Sequence, residues 1–168
     1  MHAFRIAPPA ERPSSPPPSY GVPTEGGTLV PWDHVIDRLK VAAAYWLATT
    51  GTDGRPHVVP VWGVFADDDV YLEVGASSTA KVRHLHRDPG VVVHLDDADD
   101  VVIVHGAAHF IVPTGDLATL LVEAFRAKYP GYVPEPDAWD DGSLVRIDPR
   151  TILAWRDMPT ATRWRFPR

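Results

Sequence analysis

The sequence predicts a mainly β, α+β domain: an antiparallel sheet of six or seven strands, closed or half-closed into a barrel, with three peripheral helices. Three observations point there. Short runs rich in Val, Ile, Tyr, Trp and Thr are separated by turn chemistry, as at Gly51-Thr52-Asp53-Gly54, Asp67-Asp68-Asp69 and Asp96-Asp97-Ala98-Asp99-Asp100. The strands follow one another mostly as hairpins, with helices set between them and none of the βαβ alternation of a parallel sheet. A sheet of that many strands also has two edges to dispose of, and a barrel disposes of them best.

Taken in order, residues 1–28 form a Pro-rich arm, too poor in apolar side chains to build a core, and read as a loose tail or as an arm around a partner subunit. Residues 29–168 make the barrel domain and its C-terminal tail. Residues 31–44 read as a helix, with Val35, Ile36, Leu39 and Ala43 on one apolar stripe. Residues 45–50 (YWLATT) and 57–66 (HVVPVWGVFA) flank a two-glycine turn and form a hairpin. Pro60 cannot donate to a ladder and Gly63 weakens one, so the second strand is an edge, bulged or ligand-facing there. Residues 70–74 make the next strand.

A short basic helix follows, with Val82 and Leu85 at helical spacing and a stop at Asp88-Pro89. Residues 90–95 and 101–112 are strands, the second interrupted at Gly106. Residues 116–129 form an amphipathic helix through Leu117, Leu120, Leu121, Ala124 and Phe125. Three prolines make residues 130–142 a loop, and residues 143–147 and 151–156 pair as a last hairpin around Asp148-Pro149.

Composition narrows the function. A chain of 168 residues suits one domain with a real core and is hardly long enough for two. A net charge of −6 argues against sequence-independent nucleic-acid binding, which needs a broad basic surface. With no cysteine there is no disulfide, thiolate metal site or thiol nucleophile. The absence of an apolar membrane-spanning run and of a signal peptide places the protein in the cytoplasm by default, with no membrane partner. Neither a GxSxG elbow nor a P-loop occurs.

The most informative stretch is residues 71–89, YLEVGASSTAKVRHLHRDP: a strand, a turn of small hydroxyl residues, then the basic helix. A helix opening on Ser77, Ser78 and Thr79 presents unpaired N–H groups and a partial positive charge, which suits a phosphate. With Ser78 or Thr79 as N-cap, Lys81 falls in the first turn, where a cation meets the wrong end of the helix dipole at a cost of about 0.3–1 kcal/mol unless an anion is bound. The same stretch reads equally as a solvated basic face. On a helix His84 and His86 point about 200° apart, which argues against a shared metal, and no metal site is expected from the strand residues His94, His105 and His109.

The runs YWLATTGTDGRPHVVPVWGVF, VYLEVGASSTAKVRHLHRDPGVVVHL and DDVVIVHGAAHFI, in this order, resemble the pyridoxamine 5'-phosphate oxidase-like family and its flavin/deazaflavin-dependent branches. The likeness covers residues 32–156 or so, and its most specific parts run from Leu47 to Trp62 and from Ala80 to Pro89. It implies a six-stranded split β-barrel of the FMN-binding type, acting as a homodimer with cofactor sites at the subunit interface. It implies an oxidoreductase that binds flavin mononucleotide (FMN) or a deazaflavin (coenzyme F420) and passes a hydride or electrons to a small organic substrate. A true pyridoxamine phosphate oxidase is not expected, because the long basic C-terminal pattern is missing. The cofactor ring would lie on the strand carrying His57, Val59, Pro60, Val61 and Trp62, touched largely by backbone. The phosphate would sit at Ser77, Ser78, Thr79 and Lys81, and Arg163 and Trp164 of the ATRWRF tail would line the pocket. Deazaflavin-binding relatives often carry Arg where this chain has Thr79. The alternative is a haem or tetrapyrrole binder, or sequestering protein, on the same fold without turnover. No side chain is nominated as an essential acid or base.

Overall fold

A computed structural model describes residues 3–13 and 27–167. In chain order the first strands are β1 (Ala10–Glu11), β2 (Tyr45–Thr50), β3 (Pro56–Val61), β4 (Gly63–Ala66) and β5 (Asp69–Glu73). There follow β6 (Gly90–His94), β7 (Val101–Ile111), β8 (Leu144–Trp155) and β9 (Thr162–Arg165). The helices are α1 (Trp32–Val41), α2 (Ala80–Arg87) and α3 (Gly115–Lys128).

All strand pairs are antiparallel, and the ladder runs β1-β9-β8-β7-β6-β2-β3. β8 is its spine. Opposite β7, its first residues pair with β5 and its last with β9. β3 and β4 are one run of chain divided at Trp62: β3 stays on β2, while β4 pairs only with β5. The barrel is therefore split rather than closed, with its seam at Trp62. Inward residues of β2, β6, β7 and β8 (Leu47, Val93, Val104, Ile152) fill the interior with Val35 and Leu39 of α1 and Val82 and Leu85 of α2. α3 covers β4 and β5 through Leu121 and Phe125, making a second small core with Tyr71 and Trp139.

Two expectations are corrected. The final hairpin is a single strand, β8: Asp148-Pro149 does not turn the chain but sits in a bulge. Gly106 stands opposite Pro149 and His105 opposite Thr151, which leaves Arg150 as the extra residue. A bulge interrupts the ladder locally, so a proline without an N–H is tolerated there. The position opposite must be glycine, because a Cβ on residue 106 would lie 2.3 Å from the Asp148 carbonyl oxygen.

Nor is the start of the Pro-rich arm loose. Phe4 is 1% exposed and packs its ring among Trp32, Phe65 and Phe166, with centroids 5.7–6.5 Å away. Its N–H donates to the Asp68 carbonyl (3.0 Å), and Ala3 N–H donates to the buried Asp69 carboxylate (2.7 Å). Residues 14–26, where most of the prolines lie, are outside the described residues.

Candidate cofactor site

β3 ends the ladder, so one of its edges has no strand partner among the described residues. Gly51 N–H donates to the Arg55 carbonyl (2.7 Å), which fixes the phase of the β2–β3 hairpin. Bonded pairs alternate along an antiparallel ladder, so His57, Val59 and Val61 exchange backbone bonds with Thr49, Leu47 and Tyr45. Val58 and Pro60 turn their backbone to the open edge. Pro60 costs the ladder nothing, because the N–H it lacks would have pointed away from β2. The edge reading of this strand holds; the choice of residues needs correcting. Val59 and Val61 direct their backbone at β2 and their side chains at the core, so of the expected backbone contacts only Pro60 faces out, joined by Val58.

α2 packs against the β2–β3 hairpin. Thr49 Oγ1 is 3.0 Å from His84 Nδ1, and the His84 ring meets His57 edge-on with centroids 5.3 Å apart. Arg87 donates to the carbonyls of Thr50 (3.1 Å), Gly51 (2.5 Å) and Thr52 (3.1 Å), tying the end of the helix to the hairpin turn. At the other end Thr79 is the N-cap, in extended conformation, but its hydroxyl does not cap the helix and reaches the Val74 carbonyl instead (3.5 Å). The first turn carries no acidic side chain. Ser77 and Ser78 are exposed, and their hydroxyls and the Lys81 ammonium make no hydrogen bond or ion pair with any described residue. Lys81 precedes His84 by one turn on the same face of α2. His57 Nδ1 is also buried and has no hydrogen-bond partner among the described residues.

At the seam Trp62 is 47% exposed and rests on α3, stacked on Tyr129 (4.8 Å, 15°) and inclined to Tyr132 (5.2 Å). Its carbonyl accepts from Glu73 N–H (2.9 Å), and the Glu73 carboxylate accepts from the Tyr132 hydroxyl (2.8 Å). The Tyr129 hydroxyl bonds both the N–H and the C=O of Gly63, each at 2.9 Å. Lys128 adds its ammonium to the same carbonyl (2.8 Å) and sits 4.5 Å from the centroid of the Tyr45 ring. Side chains of α3 thus satisfy the backbone where the strand changes partner.

Burial penalises the Lys128 ammonium and brings its pKa down to about 8. The unfolded chain then holds more protons than the folded one from pH 8 to about 10, and stability rises with pH over that window. The expected gain is about 1–2 kcal/mol after allowing for solvent screening of a partly exposed group. Above pH 10 the trend reverses: burial holds Tyr45, Tyr71, Tyr129 and Tyr132 neutral in the fold while their unfolded counterparts ionise. Urea melts from pH 7 to 11 should show this maximum, and Lys128→Met should remove its rising limb.

The model of the pyridoxamine 5'-phosphate oxidase family matches residues 32–156, from the start of α1 to the end of β8. The chain belongs to that family. Three solved structures share the fold. A conserved hypothetical protein of Mycobacterium tuberculosis is 24% identical, with a TM-score of 0.64 over 82% of this chain and 91% of its own. An F420 reductase is 22% identical (TM-score 0.52, 82% and 97% covered). The haem storage protein HutZ of Vibrio cholerae is 16% identical (TM-score 0.53, 70% and 85% covered). No curated protein matches the chain.

In this pyridoxamine 5'-phosphate oxidase-family chain His57 and Pro60 lie on β3 with Trp62 at its end, Ser77, Ser78, Thr79 and Lys81 lie at the opening of α2, and the His57–His84 ring contact joins the two elements. Arg163 and Trp164 lie elsewhere, on β9, with four strands between them and β3. Trp164 does not line a pocket: it is 1% exposed and packs on Trp32 at 5.4 Å, as an inward position of β9 dictates. Arg163 pairs with Glu11 of β1 (2.8 Å). Sequence reasoning also passed over Lys128, Tyr129 and Tyr132, which close α3. Their only signal was a cation and two aromatics around the helix-ending Pro130. No group of three or more His, Asp or Glu among the described residues is arranged to hold a metal, and no described helix is long and apolar enough to cross a membrane.

Proposed function

We propose that the chain is an oxidoreductase that binds FMN or coenzyme F420 between the open edge of β3 and the first turn of α2. The observation that carries this is Lys81: a cation without a counter-ion among the described residues, at the positive end of a helix with no acidic side chain in its first turn. A phosphate there would resolve the mismatch. The unpaired acceptors and donor of Val58 and Pro60, with the orphaned His57 Nδ1, suit the polar rim of a flavin-type ring, and the fold shared with an F420 reductase is consistent with it. Such a cofactor supplies the hydride chemistry; the chain's residues anchor the phosphate, orient the ring and exclude water. Titrating FMN and coenzyme F420 separately tests this. Micromolar or tighter binding of one, weakened at least tenfold (1.4 kcal/mol) in Lys81→Ala, is the expected result. No binding of either ends this reading.

The working unit in this reading is a homodimer. The outer sheet face runs in register through Pro60, Trp46, His94, Ile103 and Leu153, all exposed or half-buried and mostly apolar, as a face covered by a second copy would be. A monomer in sedimentation experiments would contradict it.

A haem-binding reading has one observation in its favour. Exposed His105 lines a groove of about 480 Å³ on that outer face, with apolar Ala48, Pro56 and Val92 beside it and Arg150 at its rim. A ligating histidine and a cation for a propionate are what a haem requires. A Soret band lost in His105→Ala would select this reading over the first.

A further inference from the structure

We propose that Trp62, backed by Tyr129 and Tyr132, is the substrate platform of the site, and that it takes uncharged, flat aromatic molecules. This rests on the function proposed above, because Trp62 stands at the end of the β3 edge assigned to the cofactor. The inference comes from how the indole is held. It is half exposed, yet it is fixed from below by the stack on Tyr129 and at its own carbonyl by Glu73. The next residue, Gly63, is clamped by the Tyr129 hydroxyl and the Lys128 ammonium. A large aromatic left mobile at a surface would lose rotamer freedom on binding; this one has already lost it, so a ligand that stacks on it meets a preorganised face.

The chemistry around the ring sets the class. Its neighbours are phenol rings, and the charged groups nearby are engaged: Lys128 on the Gly63 carbonyl, Glu73 on the Tyr132 hydroxyl. Burial first, then the Glu73 and Asp141 carboxylates, keep the Tyr132 phenol protonated, and all three are unfavourable to an anion there. Phosphorylated acids gain little from such a face, whereas flat π-systems stack on it over their whole area.

The probes are 2-naphthol and its fully saturated counterpart decahydro-2-naphthol, which offers similar apolar surface without a flat ring. Binding to the full chain and to each variant is followed by isothermal titration calorimetry. Saturable 2-naphthol binding, at least tenfold tighter than the saturated alcohol, lost at least tenfold in Trp62→Ala and kept within about threefold in Trp62→Phe, is expected. Lys81→Ala should leave it unchanged, so a failure of FMN and coenzyme F420 binding with intact 2-naphthol binding condemns the cofactor reading and spares the platform. Equal binding of the two alcohols, or equal binding by wild type and Trp62→Ala, overturns the proposal. So does a dimer that Trp62→Ala converts to monomer, since Trp62 would then be covered by a second copy.

Discussion

Phe4→Ala is expected to destabilise the protein by about 3–5 kcal/mol, the range for deleting a fully buried aromatic ring. The residue sits in a segment whose composition reads as a tail, so the size of the effect is diagnostic. The ring fills a space bounded by Trp32 at the start of α1, Phe65 in β4 and Phe166 after β9. None of the three is on a neighbouring stretch of chain, and the site cannot collapse without moving all of them. Chemical denaturation reads the loss as a lower midpoint at unchanged slope. A change under 1 kcal/mol would mean that residues 3–13 do not pack as described.

The second large effect belongs to the seam. Gly63→Ala would place a Cβ 2.5 Å from the Leu72 side chain, 2.6 Å from the Tyr71 carbonyl oxygen and 3.0 Å from the Tyr45 ring. The leucine can yield; the carbonyl belongs to the β4–β5 ladder and cannot. The expected cost is about 3 kcal/mol, the upper part of the overpacking range, since the shift also pulls Gly63 away from the Tyr129 hydroxyl. Because Trp62 is the adjacent residue, the variant should also broaden the Trp62 indole resonance. Wild-type stability in Gly63→Ala would show that the junction is loose.

What the sequence made legible was local. The β2–β3 hairpin, the hydroxyl turn before α2 and the helix stop at Asp88-Pro89 are written in neighbouring residues, and the structure has them. Pro60 correctly marked an edge. Which residues face that edge depends on which side of β3 is left unpaired. That follows from the ladder order: Val59 and Val61 turn their backbone to β2, and Val58 and Pro60 turn theirs to the open edge. Asp148-Pro149 carries turn chemistry, and only the distant glycine at position 106 reveals it as a bulge. The tail residues Arg163 and Trp164 showed alternation, which tells two faces apart without saying that the tryptophan's face is the core. Tyr129 and Lys128 acquire their role from Gly63, far away in the chain.

The pairing of β1 with β9 has a consequence for synthesis. Ala10 lies opposite Trp164 and Glu11 opposite Arg163, so a strand made early is matched by one made about 150 residues later. The nascent chain cannot pair β1 or enclose Phe4 until β9 and Phe166 have been made, and so long a loop closure makes that step slow. Until then the Phe4 ring and the open edge of β8 stay exposed together, which is where a chaperone would be needed.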